Sequence, residues 1–202
     1  MHSPPLDPAV SPQLSLVLVG PGSTLAGADG EPLADRLAAL LEVRRLAVPA
    51  VAAAVPERSG DPWLGDPAPL LAALASLEPG WLLPLPCDPG ADLAVPGCWA
   101  DALAAWRQPT VLALPAPTPG TPPGLARAYG ALLQSAGVPL LGLVQLGGPW
   151  DAAARRQDGL SWLGCLPTGT PSDASTELGL ALRQACRRRW RALRPAPQRG
   201  QA

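Results

Sequence analysis

TVLALPAPTPGTPPGLARAYGALLQSAGVPLLGLVQL, residues 110–146, holds a strand, a loop, a helix and a second strand in succession. TVLALP (110–115) is a short apolar run that ends in proline. The proline- and glycine-rich segment after it opens a helix over 124–136, and Gly137 stands where a helix needs a residue with positive φ to stop. VPLLGLVQL (138–146) is then apolar at nearly every position, the composition of a strand covered on both faces.

The same alternation extends in both directions. LSLVLVG, from Leu14, predicts a first strand over 14–19 that ends in the turn Gly20-Pro21-Gly22-Ser23-Thr24. Leu33, Leu37, Leu40 and Leu41 then recur at helical spacing within 31–42. A second strand is expected over 46–55, confined to an edge by Pro49 and Pro56. Further on come a helix over 70–77, a strand over 81–85 closed by CDPG, and a helix around 99–106. A polar helix over 151–157, a strand over 160–166 and a helix from 173 to about 193 complete the chain. Strands alternating with helices predict a three-layer α/β domain with a mostly parallel central sheet and right-handed crossovers. The strands at 14–19, 81–85, 110–114, 140–144 and 161–166 are expected in one sheet. Residues 13–194 read as one domain, between a proline-rich, disordered lead-in (1–12) and a disordered tail (195–202).

Composition narrows the chemistry. Net charge is −1 and charged residues make up 15% of the chain, below the roughly 25% of an ordinary domain, so no global field draws the protein to nucleic acid or to anionic membrane. Lys, Asn, Ile and Phe are absent; all have AT-rich codons, and a GC-rich, bacterial-type genome accounts for the pattern. Without lysine there is no Schiff base and no ammonium for a γ-phosphate. The only histidine, His2, lies in the lead-in, away from any general-base role. Cys87, Cys98, Cys165 and Cys186 lack metal-ligand spacing and read as thiols of a reducing compartment. No basic leader precedes an apolar run and no run approaches the ~20 residues of a membrane span, so a soluble, cytoplasmic protein is expected.

In an open parallel sheet the ligand site lies beyond the carboxyl ends of the strands. The loop after the first strand is the richest in candidates: Gly20, Gly22, Ser23 and Thr24 offer backbone amides and hydroxyls to an anion. Gly22 and Gly27 have the glycine spacing of a phosphate loop, but Ala28 and Asp29 stand where Lys and a hydroxyl residue belong. The bland alternative is a glycine-rich turn with no ligand. Asp88, after the strand over 81–85, is a candidate to face a ligand or Mg²⁺, or else to make local turn hydrogen bonds.

Residues 100–167 resemble the C-terminal half of dethiobiotin synthetase and the related cobyrinic acid amide synthases. Gly120-Thr121 matches a Gly-Thr loop, Ala136-Gly137-Val138-Pro139 a helix end, Leu141-Gly142-Leu143-Val144 a strand, and Leu163-Gly164-Cys165-Leu166-Pro167 a later strand. The resemblance implies a P-loop NTPase-like topology and ATP with Mg²⁺ as cofactor. It places the phosphate loop at residues 20–25, and Gly120 and Thr121 in the nucleotide site. Gln145, or Leu146, stands where the family reads adenine with Asn, and Trp150 follows as a candidate to stack on the base. The family's acidic E-G-x-G-G loop has Glu78-Pro79-Gly80 or Cys87-Asp88-Pro89-Gly90 as its stand-ins, Asp88 being the better placed.

The expected function is therefore a dethiobiotin synthetase-like protein with a degenerate nucleotide site, non-catalytic or regulatory. One alternative is an active ATP-dependent ligase that uses Arg36, Arg44 or Arg45 for positive charge. Another is an interaction module whose arginines at 183, 187, 188, 189, 191, 194 and 199 meet an acidic protein partner or solvate a helix face. Nucleic acid is disfavoured for lack of a second basic patch, and a homodimer is compatible with the sequence. The tryptophans at 63, 81, 99, 106, 150, 162 and 190 are expected to pack in the core or at its rim, as large fillers in place of phenylalanine.

Overall fold

The computed structural model describes residues 13–22, 25, 30–47, 63–118, 123–167 and 173–193. The expected lead-in and tail, Ser23, Thr24, Gly120 and Thr121 lie outside the described residues. Along the chain run β1 (Ser15–Val19), α1 (Gly30–Leu41), β2 (Arg44–Arg45), α2 (Ala68–Ala75), β3 (Trp81–Pro84) and α3 (Trp99–Ala105). They are followed by β4 (Thr110–Pro115), α4 (Gly124–Ala136), β5 (Leu140–Leu146), α5 (Ala152–Gln157), β6 (Trp162–Leu166) and α6 (Asp173–Leu193).

The six strands form one sheet in the order β2-β3-β1-β4-β5-β6, and every pairing is parallel. The connection from β1 runs one way across the sheet, past β3 to β2, and all later connections run the other way. Crossovers of a single hand must then place α1 on the face opposite α2, α3 and α4 of the later crossovers; α6 follows the last strand and is free to join α1. That is the observed division. Leu16 and Leu18 of β1 meet Leu37 and Leu41 of α1 and Leu182, Cys186 and Trp190 of α6 in one core cluster. Val17 and Val19 belong to a second, with Leu71 and Leu74 of α2, Leu103 of α3 and Leu133 of α4. Successive residues of a strand face opposite sides, so a sheet buried on both needs the near-continuous apolar runs seen in the sequence.

The second strand described lies just before the expected one: Arg44–Arg45 pairs with Trp81 and Leu82, and the Leu46 N–H adds one more bond to the Leu82 carbonyl at 2.9 Å. Residues 48–55 of the expected strand lie outside the described residues. Pro84 is tolerated in β3 because of strand parity. The Leu85 N–H turns towards β1, donating to the Leu18 carbonyl at 2.8 Å, so the missing N–H of Pro84 faces the other side, beyond the last paired residue of β2.

Tryptophan fills much of the core. Trp63, Trp81, Trp99 and Trp190 are buried, and the buried Trp99 indole N–H donates to the Trp63 carbonyl at 2.6 Å. Trp106, at 43% exposed, lies outside the core. None of the four cysteines is in a disulfide, and burial pushes the Cys186 thiol up to about 12. Among the described residues no helix is long and apolar enough to cross a membrane.

Candidate functional site

The connections of β1 and β4, neighbours in the sheet, leave in opposite directions, which makes the carboxyl ends of these central strands the switch point where ligands of open α/β sheets sit. β3 borders β1 on its other side, with Pro84 beside Leu18, so the loops after β1 and β3 emerge together. The first turns through Gly20, Pro21 and Gly22, and at Gly22 φ is +52°, a conformation that glycine adopts without strain. The second carries Asp88.

These two loops are joined. The Gly22 N–H donates to Oδ2 of Asp88 at 2.6 Å, and the Gly90 N–H donates to Oδ1 at 2.8 Å. The hydroxyl of Tyr129, from α4, makes a short hydrogen bond to Oδ2. Asp88 thus makes the local turn bond that its D-x-G context suggests, and also binds residues 66 and 41 positions away. Its loop is anchored beneath by the Ala100 N–H at the start of α3, which donates to the Pro89 carbonyl at 2.9 Å.

Partial burial pushes the Asp88 carboxyl up, but the hydrogen bonds from Tyr129, Gly90 and Gly22 outweigh it and hold the group below its usual value. The Tyr129 phenol is pushed up by burial and then by the hydrogen bond to Asp88 and its charge, with a smaller opposing contribution from the Gly22 amide. Asp88 is therefore an ionised carboxylate facing three donors. Beside it opens a cavity of about 420 Å³, lined by Asp88, Gly90, Ala91, Ala128, Tyr129 and Leu132.

At the end of β5 the buried Gln145 is engaged by its own loop. Its Nε2 donates to the carbonyls of Gly147 at 2.8 Å and Pro149 at 3.0 Å. A side chain at Gly148 is excluded, since a Cβ there would lie 2.5 Å from that of Ala116 in the loop after β4. Trp150 packs edge-on against Trp162, ring centroids 6.3 Å apart, and the Arg155 guanidinium lies 5.2 Å from the Trp162 ring centroid. Trp162 also borders a cleft of about 220 Å³ walled by Leu114, Pro115 and Leu125.

The structure thus brings Gly20, Gly22 and Asp88 to one place, and Gln145 and Trp150 to another. Tyr129 is the functional candidate that sequence reading missed; a lone tyrosine on a helix gives no local sign that it reaches a loop of another strand. The arginines divide. Arg183 and Arg187 of α6 are ion-paired with Glu42 beyond the end of α1, while Arg188, Arg189 and Arg191 are exposed. Arg45 is paired with Asp35 at 3.1 Å.

No protein-family model matches the chain, and no curated protein matches it at a significant level.

Proposed function

We propose that this chain is a dethiobiotin synthetase-like α/β protein whose nucleotide site has lost its chemistry, and that it acts without catalysis, in a binding or regulatory role. One observation carries the reading: the Gly22 amide, in the loop where a phosphate would be cradled, is held by the Asp88 carboxylate. An anion already occupies that donor and would repel a second one.

The residues present do not fit Mg-ATP. No lysine exists to neutralise the phosphates. Asp88, the candidate for Mg²⁺, already accepts three of the roughly four hydrogen bonds that a carboxylate can take. The donor amide of Gln145 is spent on its own turn. Arg44 and Arg45, considered as substitutes for lysine, pair with the first two residues of β3, at the end of that strand away from Asp88. This weighs against an active ligase with a non-standard loop.

The test is steady-state phosphate release by purified protein with Mg-ATP, alone and with 7,8-diaminopelargonate and bicarbonate, the substrates the resemblance implies. Release at the buffer background is expected, with no thermal stabilisation by Mg-ATP. Turnover near ~1 s⁻¹ in either mixture would overturn the reading.

A second role is supported by the exposed Arg188, Arg189 and Arg191, whose guanidinium groups suit an acidic protein surface. Binding of such a partner should weaken when the three are replaced by glutamate.

A further inference from the structure

We propose that Gly22, Gly90 and Tyr129 form an oxyanion-binding site that the protein keeps filled with its own Asp88 carboxylate, and that a small molecule bearing a carboxylate or phosphate group displaces it. The inference rests on the reading of the loop after β1 as closed by Asp88, and extends it to what opens the loop.

The donors come from three separate places: the turn after β1, the loop after β3 and helix α4. An aspartate needed only to shape its own loop would be satisfied by Gly90. Here it also collects an amide and a hydroxyl from distant segments, at the switch point of the sheet, where backbone amides converge on anions. Two N–H groups and one O–H around one carboxylate match the demands of any small oxyanion.

There is room for the rest of such a ligand. The cavity of about 420 Å³ beside the donors lies within the range of small-molecule sites, and Ala91, Ala128 and Leu132 give it apolar walls. Asp88 is itself one of the residues that line this cavity, so displacement of its carboxylate by another oxyanion would take place at an open edge of the fold. The intramolecular carboxylate has the advantage of proximity, so the free protein stays closed, and an incoming anion binds only by the margin with which its own contacts exceed those of Asp88.

The experiment removes the internal anion and offers an external one. Binding of inorganic phosphate and of acetate is measured by calorimetry on the full chain, for the wild type, Asp88→Ala, Asp88→Asn and the double variant Asp88→Ala with Tyr129→Phe. Thermal melts in parallel report which variants are folded. Loss of charge-assisted hydrogen bonds to Asp88 frees the donors, so Asp88→Ala should bind at least one of the two anions roughly tenfold more tightly than the wild type. Asp88→Asn, which keeps the size but not the charge, should gain less. The double variant should lose most of the gain, because one of the three donors is gone. Equal affinity in wild type and Asp88→Ala would overturn the proposal, and Asp88→Asn decides in the same way if the alanine variant does not fold. Failure of both to fold would make Asp88 a structural strut and would overturn it too. Phosphate binding by these variants is independent of ATP turnover by the wild type, so this proposal and the functional reading can fail separately.

Discussion

Asp88 and Tyr129 share one hydrogen bond, and beside burial each shifts the other's titration. The Asp88 carboxyl is held below its usual value, so its contribution to stability is complete above the unfolded pKa of about 3.9 and is lost as pH falls through the folded value, where the unfolded chain takes up its proton first. Tyr129 is shifted upward, so its contribution is complete below about pH 10 and is lost as pH rises through its folded value. It is the only tyrosine of the chain, and tyrosinate absorbance therefore reports this contact alone. In Asp88→Asn the tyrosine midpoint should fall towards 10, and urea unfolding at a series of acid pH values should show less loss of stability below about pH 4 than in the wild type. An unchanged tyrosine midpoint would mean that the hydroxyl bonds elsewhere.

Among the elements, the junction of α1 with α6 sets backbone strain against ion pairing at one residue. Glu42 follows the last residue of α1 with φ of 59°, while its carboxylate receives Arg183 and Arg187 from α6, the latter at 2.6 Å. Glycine would relieve the backbone, but the ion pairs would go. Glu42 is 58% exposed, so solvent screening keeps the pairs worth no more than about 1 kcal/mol. Glu42→Ala and Glu42→Gly lose the pairs equally and differ only in backbone, so the glycine variant should be more stable than the alanine variant by about 1 kcal/mol in denaturant unfolding. Equal stabilities would show that the left-handed backbone costs nothing there.

Much of this level is legible in the sequence. α4 stops at Gly137, which has φ of 83°, and β5, Leu140–Leu146, lies within its apolar run and ends where that run ends. β2 was harder to read, because a two-residue edge strand of arginines has neither alternation nor apolar character, and only the neighbouring β3 defines it. The site was legible in pieces. Gly22 and Asp88 stand out singly by residue type, yet their contact depends on β3 and β1 being neighbours, and strand order is not written in local periodicity.

For the whole molecule, α6 decides whether the fold survives. If the arginines of this helix serve an interaction module, truncation after Leu178 would be one test of partner binding. The structure gives the helix a second task. Leu182, Ala185, Cys186 and Trp190 are buried against the sheet face that α1 shares, and Gly179 packs on Leu40 of α1. Losing the Leu182 and Trp190 side chains alone would cost about 5–10 kcal/mol, comparable to the roughly 5–15 kcal/mol that separates a domain from its unfolded state. Truncation after Leu178 should therefore abolish the cooperative melt by circular dichroism and make the remainder protease-sensitive, whatever the protein binds. Replacing Arg188, Arg189 and Arg191 by glutamate should leave a cooperative melt, because these side chains are exposed and the Glu42 pairs belong to Arg183 and Arg187. A truncated chain that still melted cooperatively near the wild-type temperature would show that α1 and the sheet form a sufficient core without α6, and would restore the helix as a separable module.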